Sequence, residues 1–368
     1  MRNLLPIVVL MSLLAACGTE APGAFDSDTD ELSSATYSMA QVRADPSLAP
    51  DVVVPPGRHV IGHARPSSAD LLNPNDLVVH RPNPWADATW LYDANQLGQF
   101  LTLTDPAVYP SDKKDATYSR KPGDLFADEG KLVWDNIEQG ALGDCYFIAS
   151  FVSVIFSDQG GALTKNLIVP HKSGTKVVAY DVNFFQANGR KVRIEVDPDL
   201  LHDSSDNIYY AQSTKDQPGA EEWAPSLVEK AYASWHKTYK AIGDGGTAAD
   251  AIFALTGKKT VAALATDADI VTKIESAGKN HKPQVACTWG EHDGVDYTNT
   301  GIYADHCYTL RGIRRAGSNV FVLLRNPWGP TTSTTFPSEP PTDGVQDGIF
   351  ELPLSTFQKL YDDVTIVP

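Results

Sequence analysis

Four side chains, widely separated along this 368-residue chain, have the types and settings needed for covalent catalysis. QGALGDCYFIASFVSV, from Gln139 onward, runs from a small polar turn into an apolar segment and puts Cys145 at the mouth of that segment. A helix N-terminus favours negative charge, so a cysteine placed there is favoured as the thiolate, the form that attacks. The Gln139 amide and the Cys145 backbone N–H could donate to a developing oxyanion, an interaction worth roughly 3–4 kcal/mol in a transition state. A nucleophile also needs a base, and the base needs an orienting group. Among nine histidines, His59, His63, His80 and His292 sit in polar or proline-rich surroundings, whereas His306 opens the strand-like run DHCYTLRGI. The next run ends in LLRNPWG. Antiparallel pairing of the two would bring Asn326 to His306, with Pro327 ending the strand and Trp328 covering the pair from water.

Periodicity supplies the elements that must hold these groups. Residues 145–155 read as a buried helix, apolar nearly all round, with Asp144 expected to cap its first turn. KVVAYDVNFF (176–185) and RKVRIEV (190–196) flank a Gln-Ala-Asn-Gly turn and predict a hairpin. Trp223, Leu227, Ala231, Trp235 and Tyr239 form one stripe, which predicts a helix over 221–240. Glycines 243, 245 and 246 then break the chain. In the second half, a short helix near 267–277 precedes strands at 284–289, 306–315 and 319–325, a helix around 355–360 and a strand at 364–367. A helix-rich half followed by a β-rich half predicts an α+β fold of two lobes.

The chain opens MRNLLPIVVLMSLLAACGTE, a basic residue, an apolar stretch and small residues, the layout of a secretory signal too short to span a bilayer. Leu14-Ala15-Ala16-Cys17 resembles a bacterial lipobox, so residues 1–17 are expected to end at a lipidated Cys17. This would anchor the chain to the bacterial envelope, with the outer membrane the expected destination. Residues 18–100 read as a polar tether followed by a proline-rich stretch, either an extended segment or a propeptide. The net charge of −16 and a pI near 4.9 disfavour nucleic acid and anionic lipid surfaces as partners. Three further cysteines remain, with no zinc-site spacing. A Cys287–Cys307 disulfide would leave Cys145 free, but Cys287 in VACTW reads rather as a buried strand thiol, and Cys307 as core.

QGALGDC, DHCYTL and RNPWG, in that order, resemble the Cys, His and Asn motifs of the calpain family of papain-like cysteine proteases. LTDPAVYPS, VDPDLL, WAPSLVEKAYA, GDGGT, LTG and DGIFELPLSTF resemble further landmarks of its core. The resemblance implies a lobe with the nucleophile (101–257), a lobe with His and Asn (258–368), and a cleft between them. It implies Cys145 as nucleophile, His306 as base and acid, Asn326 as orienter and Gln139 as oxyanion donor. Gly257 and Trp328 then belong to the cleft, with Asp305, where the family often has Gly, on the substrate wall. Tyr146 replaces the family's Trp after the nucleophile. Animal calpains bind calcium in each lobe. Here Asn136 stands at an acidic ligand position, Glu222 fits another, and Asp347-Gly348-Ile349 lacks one carboxylate of a D-x-E pair. Calcium needs six to eight oxygens, so activity without calcium is expected, with no required cofactor. The expected activity is endopeptidase cleavage by a monomer acting on protein or peptide substrates. A thiol acyltransferase and a catalytically silent binding protein on the same scaffold are the alternatives.

Overall fold

The computed structural model describes Thr36–Tyr37 and residues 105–112, 116–120, 122–126, 130–158, 161–214, 221–329 and 347–368. The expected signal, Cys17 and nearly all of residues 18–100 lie outside the described residues.

Helix α1 (Cys145–Ser157) is the element on which both lobes are built. Every residue from Cys145 to Ile155 is buried, so an apolar helix of this kind needs partners on all sides. Helices α2 (Ala224–Trp235) and α3 (Ala248–Thr256) belong to the first lobe. Phe147 stacks on Tyr232 with 4.0 Å between ring centroids, joining α1 to α2. Burial of one such large side chain stabilises by about 1.5–3 kcal/mol.

The first-lobe sheet runs β1 (Thr36–Tyr37), β4 (Lys191–Val196), β3 (Lys176–Phe185), β2 (Ile168–Ser173), antiparallel except for the β1–β4 pair. The predicted hairpin is β3–β4. Val178, Tyr180, Val182 and Phe184 alternate inward with Val192, Ile194 and Val196.

The second sheet has six strands, all antiparallel, in the order β5 (Val261–Leu264), β10 (Tyr361–Ile366), β6 (Gln284–Thr288), β7 (Cys307–Ala316), β8 (Asn319–Arg325), β9 (Ile349–Pro353). Thr309 Oγ1 on β7 donates to Ala149 O of α1 at 2.8 Å, and Ser153 of α1 exchanges two 2.8 Å bonds with the Gln284 backbone. Tyr308 and Leu310 point the other way, into a second core under helices α4 (Ile270–Lys279) and α5 (Leu354–Leu360). The fold is α+β and papain-like, with two lobes meeting along α1.

Four expectations need correction. The 221–240 helix is shorter: Glu221–Glu222 pair as a strand with Gly123–Asp124, and α2 starts beyond Trp223 with Pro225 in its first turn. It ends where Lys237 turns to φ 81° and Thr238 caps a separate short helix, Tyr239–Gly243. The first lobe also contains β2 and α3, neither expected. Asp144 makes no side-chain cap bond to α1. Finally, Cys287 and Cys307 are directly opposed on β6 and β7 and form a disulfide, so Cys287 is not a lone core thiol. Directly opposed antiparallel residues bring their Cβ atoms within bridging reach.

Candidate active site

The structure brings Cys145, His306, Asn326, Gln139 and Trp328 together where the two lobes meet. Cys145 begins α1, and its Sγ is 4.0 Å from the backbone carbonyl of Asp305, the residue before His306. His306 Nε2 lies 2.8 Å from Asn326 Oδ1. The same Asn326 atom accepts the Trp328 backbone N–H at 3.1 Å, which identifies it as the amide oxygen. His306 must therefore carry its proton on Nε2, leaving Nδ1 as the basic nitrogen. Trp328 is buried and its ring is 4.4 Å from the imidazole, with Tyr308 edge-on at 4.8 Å on another side. Aromatic walls exclude water and restrict the imidazole to in-plane movement.

Gln139 is held from both ends. Its backbone N–H donates to Pro327 O across the lobes at 2.8 Å, and Nε2 donates to Leu142 O at 2.5 Å. Phe147 and Ile148 N–H groups both donate to Asp144 O, so the first turn of α1 closes immediately after the thiol. Arg325, the last residue of β8, is fully buried and sends Nη2 to Asp135 O at 3.0 Å and Ile137 O at 2.7 Å. Burial pushes its guanidinium down to about 10, still cationic at neutral pH. Gln139 and Asn326 are thus positioned by one brace running from β8 into the segment before α1.

Directly before Cys145, the buried Asp144 carboxyl meets that of Glu229, another buried residue, on α2. Burial raises both, and their mutual repulsion adds to the rise at Glu229, whose oxygens also accept the Ala211 N–H. Two touching carboxyls in a dry site share a proton rather than both ionising. Sequence reasoning missed this pair, although a Glu inside the apolar stripe of WAPSLVEKAYA was the available signal.

Asp305 has φ 50°, the left-handed region that favours glycine, which explains the family's frequent Gly there. Its Oδ2 accepts the Glu291 N–H at 2.9 Å and ties the loop that precedes His306. Gly257 is not brought against these groups: it terminates α3 at φ 67°, where a Cβ would lie 2.7 Å from the Phe185 ring. At the family's calcium positions, Asn136 Oδ1 accepts from Thr214 Oγ1 at 3.2 Å, Glu222 Oε2 accepts from Ser213 Oγ at 2.6 Å, and Asp347 Oδ1 accepts the Ile349 N–H at 2.9 Å. Each of these three side chains therefore has an oxygen engaged in an internal bond.

Comparison with known proteins agrees with this arrangement. The family description "Calpain family cysteine protease" matches residues 107–338. Calpain clp-4 of Caenorhabditis elegans is 29% identical over 245 residues, which cover 63% of this chain and 33% of that protein. Calpain-13 of Rattus norvegicus is 27% identical over 265 residues, covering 70% and 38%. A thiol protease of Porphyromonas gingivalis is 27% identical over 240 residues, covering 58% and 46%. The chain therefore spans about a third to a half of the length of these relatives. With the core motifs on both sides of one cleft and the match running through most of the described body, this chain belongs to the calpain family of cysteine proteases.

Proposed function

We propose that the protein is an endopeptidase that cleaves peptide bonds through an acyl-enzyme on Cys145, without requiring calcium. The observation that carries this reading is the 2.8 Å His306–Asn326 contact beside a thiol at a helix N-terminus. His306 Nδ1 takes the thiol proton, and the sulfur attacks the scissile carbonyl carbon. The carbonyl oxygen becomes an oxyanion facing the Cys145 N–H and the Gln139 amide. His306 returns the proton to the leaving amine as the C–N bond breaks. It then activates a water that hydrolyses the thioester, restoring the thiol. Asn326 keeps the ring aligned through both transfers. Asp305 and Trp328 flank the histidine and would line the leaving-group side of the cleft.

Calcium independence is supported by the internal bonds at Asn136, Glu222 and Asp347. The sequence before Gly18 supports attachment through a lipid on Cys17 to the outer membrane of a bacterial envelope. Mass analysis of the membrane-extracted chain, with Cys17→Ser as control, tests that attachment.

The activity test is digestion of a peptide library by the parent chain and Cys145→Ala, with and without excess chelator. The reading expects cleavage that survives chelation and disappears in the variant. Loss of cleavage that only calcium restores would overturn the calcium part. Transfer of the acyl group to an added amine, in preference to water, would favour the acyltransferase alternative. A folded parent chain that neither cleaves nor transfers would favour the binding protein.

A further inference from the structure

On the first-lobe sheet, Val178, Tyr180, Val182 and Phe184 of β3 and Val192, Ile194 and Val196 of β4 point inward, which puts Asp181, Arg193 and Glu195 on the other face. Asp181 on β3 is directly opposite Glu195 on β4 and directly opposite Val169 on β2. Residues two apart on a strand share a face, so His171, two beyond Val169, joins the two carboxylates across three strands. Like charges in opposed positions destabilise a sheet unless something compensates them. An outward face would normally leave such groups in water. Here the Asp181 and Glu195 side chains are only 9% and 5% exposed, and His171 is 21% exposed. Asp181 Oδ1 and Glu195 Oε1 are buried and accept no hydrogen bond among the described residues.

We propose that His171, Asp181 and Glu195 bind one divalent transition-metal cation of the zinc class, which ties the three strands of the first lobe together. One ligand atom from each residue lies within 4.8 Å of the others. His171 Nδ1 is 2.7 Å from Glu195 Oε2 and 3.6 Å from Asp181 Oδ1. An imidazole nitrogen with two carboxylate oxygens is a zinc-type donor set, at bond lengths of about 2.0–2.2 Å, and a solvent molecule would complete four-coordination. Calcium is disfavoured, because it takes oxygen rather than imidazole and needs more donors than two carboxylates provide. Arg193 Nη1, 3.5 Å from Asp181 Oδ2 and one-third exposed, stays at the rim and can swing into solvent. Without the metal, a proton takes its place. Burial alone would lower His171, but its contacts with Asp181 and Glu195 outweigh that and raise it to about 10. Metal binding therefore exchanges one imidazole proton for the cation and releases it to solvent.

This site is independent of the hydrolase reading, and its test uses a chain without the catalytic thiol, itself a zinc ligand. The full chain carrying Cys145→Ala, dialysed free of metal at pH 8, is titrated with zinc chloride by calorimetry. The same titration is run on that chain with Glu195→Gln or His171→Asn added. The proposal expects one equivalent bound by the parent and an affinity lower by more than about 100-fold in each variant. It also expects melting to rise by roughly 5 °C at a hundredfold excess over Kd. A readout that needs no further variant is the melting temperature of the parent: zinc should raise it and calcium at the same concentration should not. Equal zinc affinity in all three chains, or melting unchanged by zinc, means an ion-pair cluster alone and overturns the proposal. Equal stabilisation by calcium overturns the metal class.

Discussion

Asn326 fixes His306 through a single oxygen that also accepts the Trp328 N–H, so its removal frees the ring without opening a large cavity. A hydrogen bond to a group that becomes charged is worth about 1.5–3 kcal/mol. Asn326→Ala should therefore lower kcat by roughly 10- to 150-fold while KM changes little, in steady-state assays of the folded variant. The Asp144–Glu229 pair gives a second prediction at this scale. Burial raises both carboxyls, Asp144 to about 8. The folded chain thus keeps protons that the unfolded chain releases above the ordinary carboxyl range. The sign follows: this contribution is fully present below about pH 4 and is lost as pH rises to about 8, by up to about 1.4 kcal/mol per unit for each proton. His171, raised to about 10, acts with the same sign above its ordinary value of 6.5. Melting temperatures measured from pH 5 to 8 should fall less steeply for Glu229→Gln than for the parent. Equal slopes would contradict the shared proton.

Among the elements, α1 was the most legible in sequence, because an apolar run with a thiol at its mouth can only be a central helix with a functional end. The β3–β4 hairpin was legible for a different reason, its alternating pattern around Asn188-Gly189. Helix α3 was missed although its punctuation is present: Thr247 Oγ1 accepts the Asp250 N–H at 3.1 Å, and Gly257 ends the helix in the left-handed region. The aspartate before α1 looked like a cap, and proximity in sequence favoured that reading. Its actual partner, Glu229, comes from a distant helix, and no local rule specifies that contact. Cys287 was read as a lone strand thiol rather than a disulfide partner for a similar reason, since strand pattern gives the face of each residue but not the register between strands. The β8 brace yields a prediction at this level. Arg325→Met keeps much of the volume but leaves the Asp135 and Ile137 carbonyls without their donor. An unpaired buried carbonyl costs about 1–3 kcal/mol. The variant should melt lower than the parent and lose activity at temperatures where circular dichroism still shows it folded. Full activity under those conditions would separate the brace from the alignment of Gln139.

At the scale of the whole molecule, Cys145 and His306 are both fully buried where the two lobes meet. A peptide reaches the sulfur only when the structure over the cleft opens, so chemistry follows a conformational step. Alkylation of native Cys145 should therefore depend on reagent size, with a bulky maleimide reacting at least tenfold more slowly than iodoacetamide relative to their rates with a free thiol. Equal relative rates would mean that the sulfur is already open to solvent. In the proposed reaction, folding joins a sulfur from the first lobe to an imidazole from the second. Treating the full chain with an epoxysuccinyl peptide and locating the adduct by mass spectrometry tests that union. A single adduct on Cys145, lost in a folded His306→Ala variant, is expected. No adduct on the parent, or equal labelling of Cys145 in both chains, would contradict it.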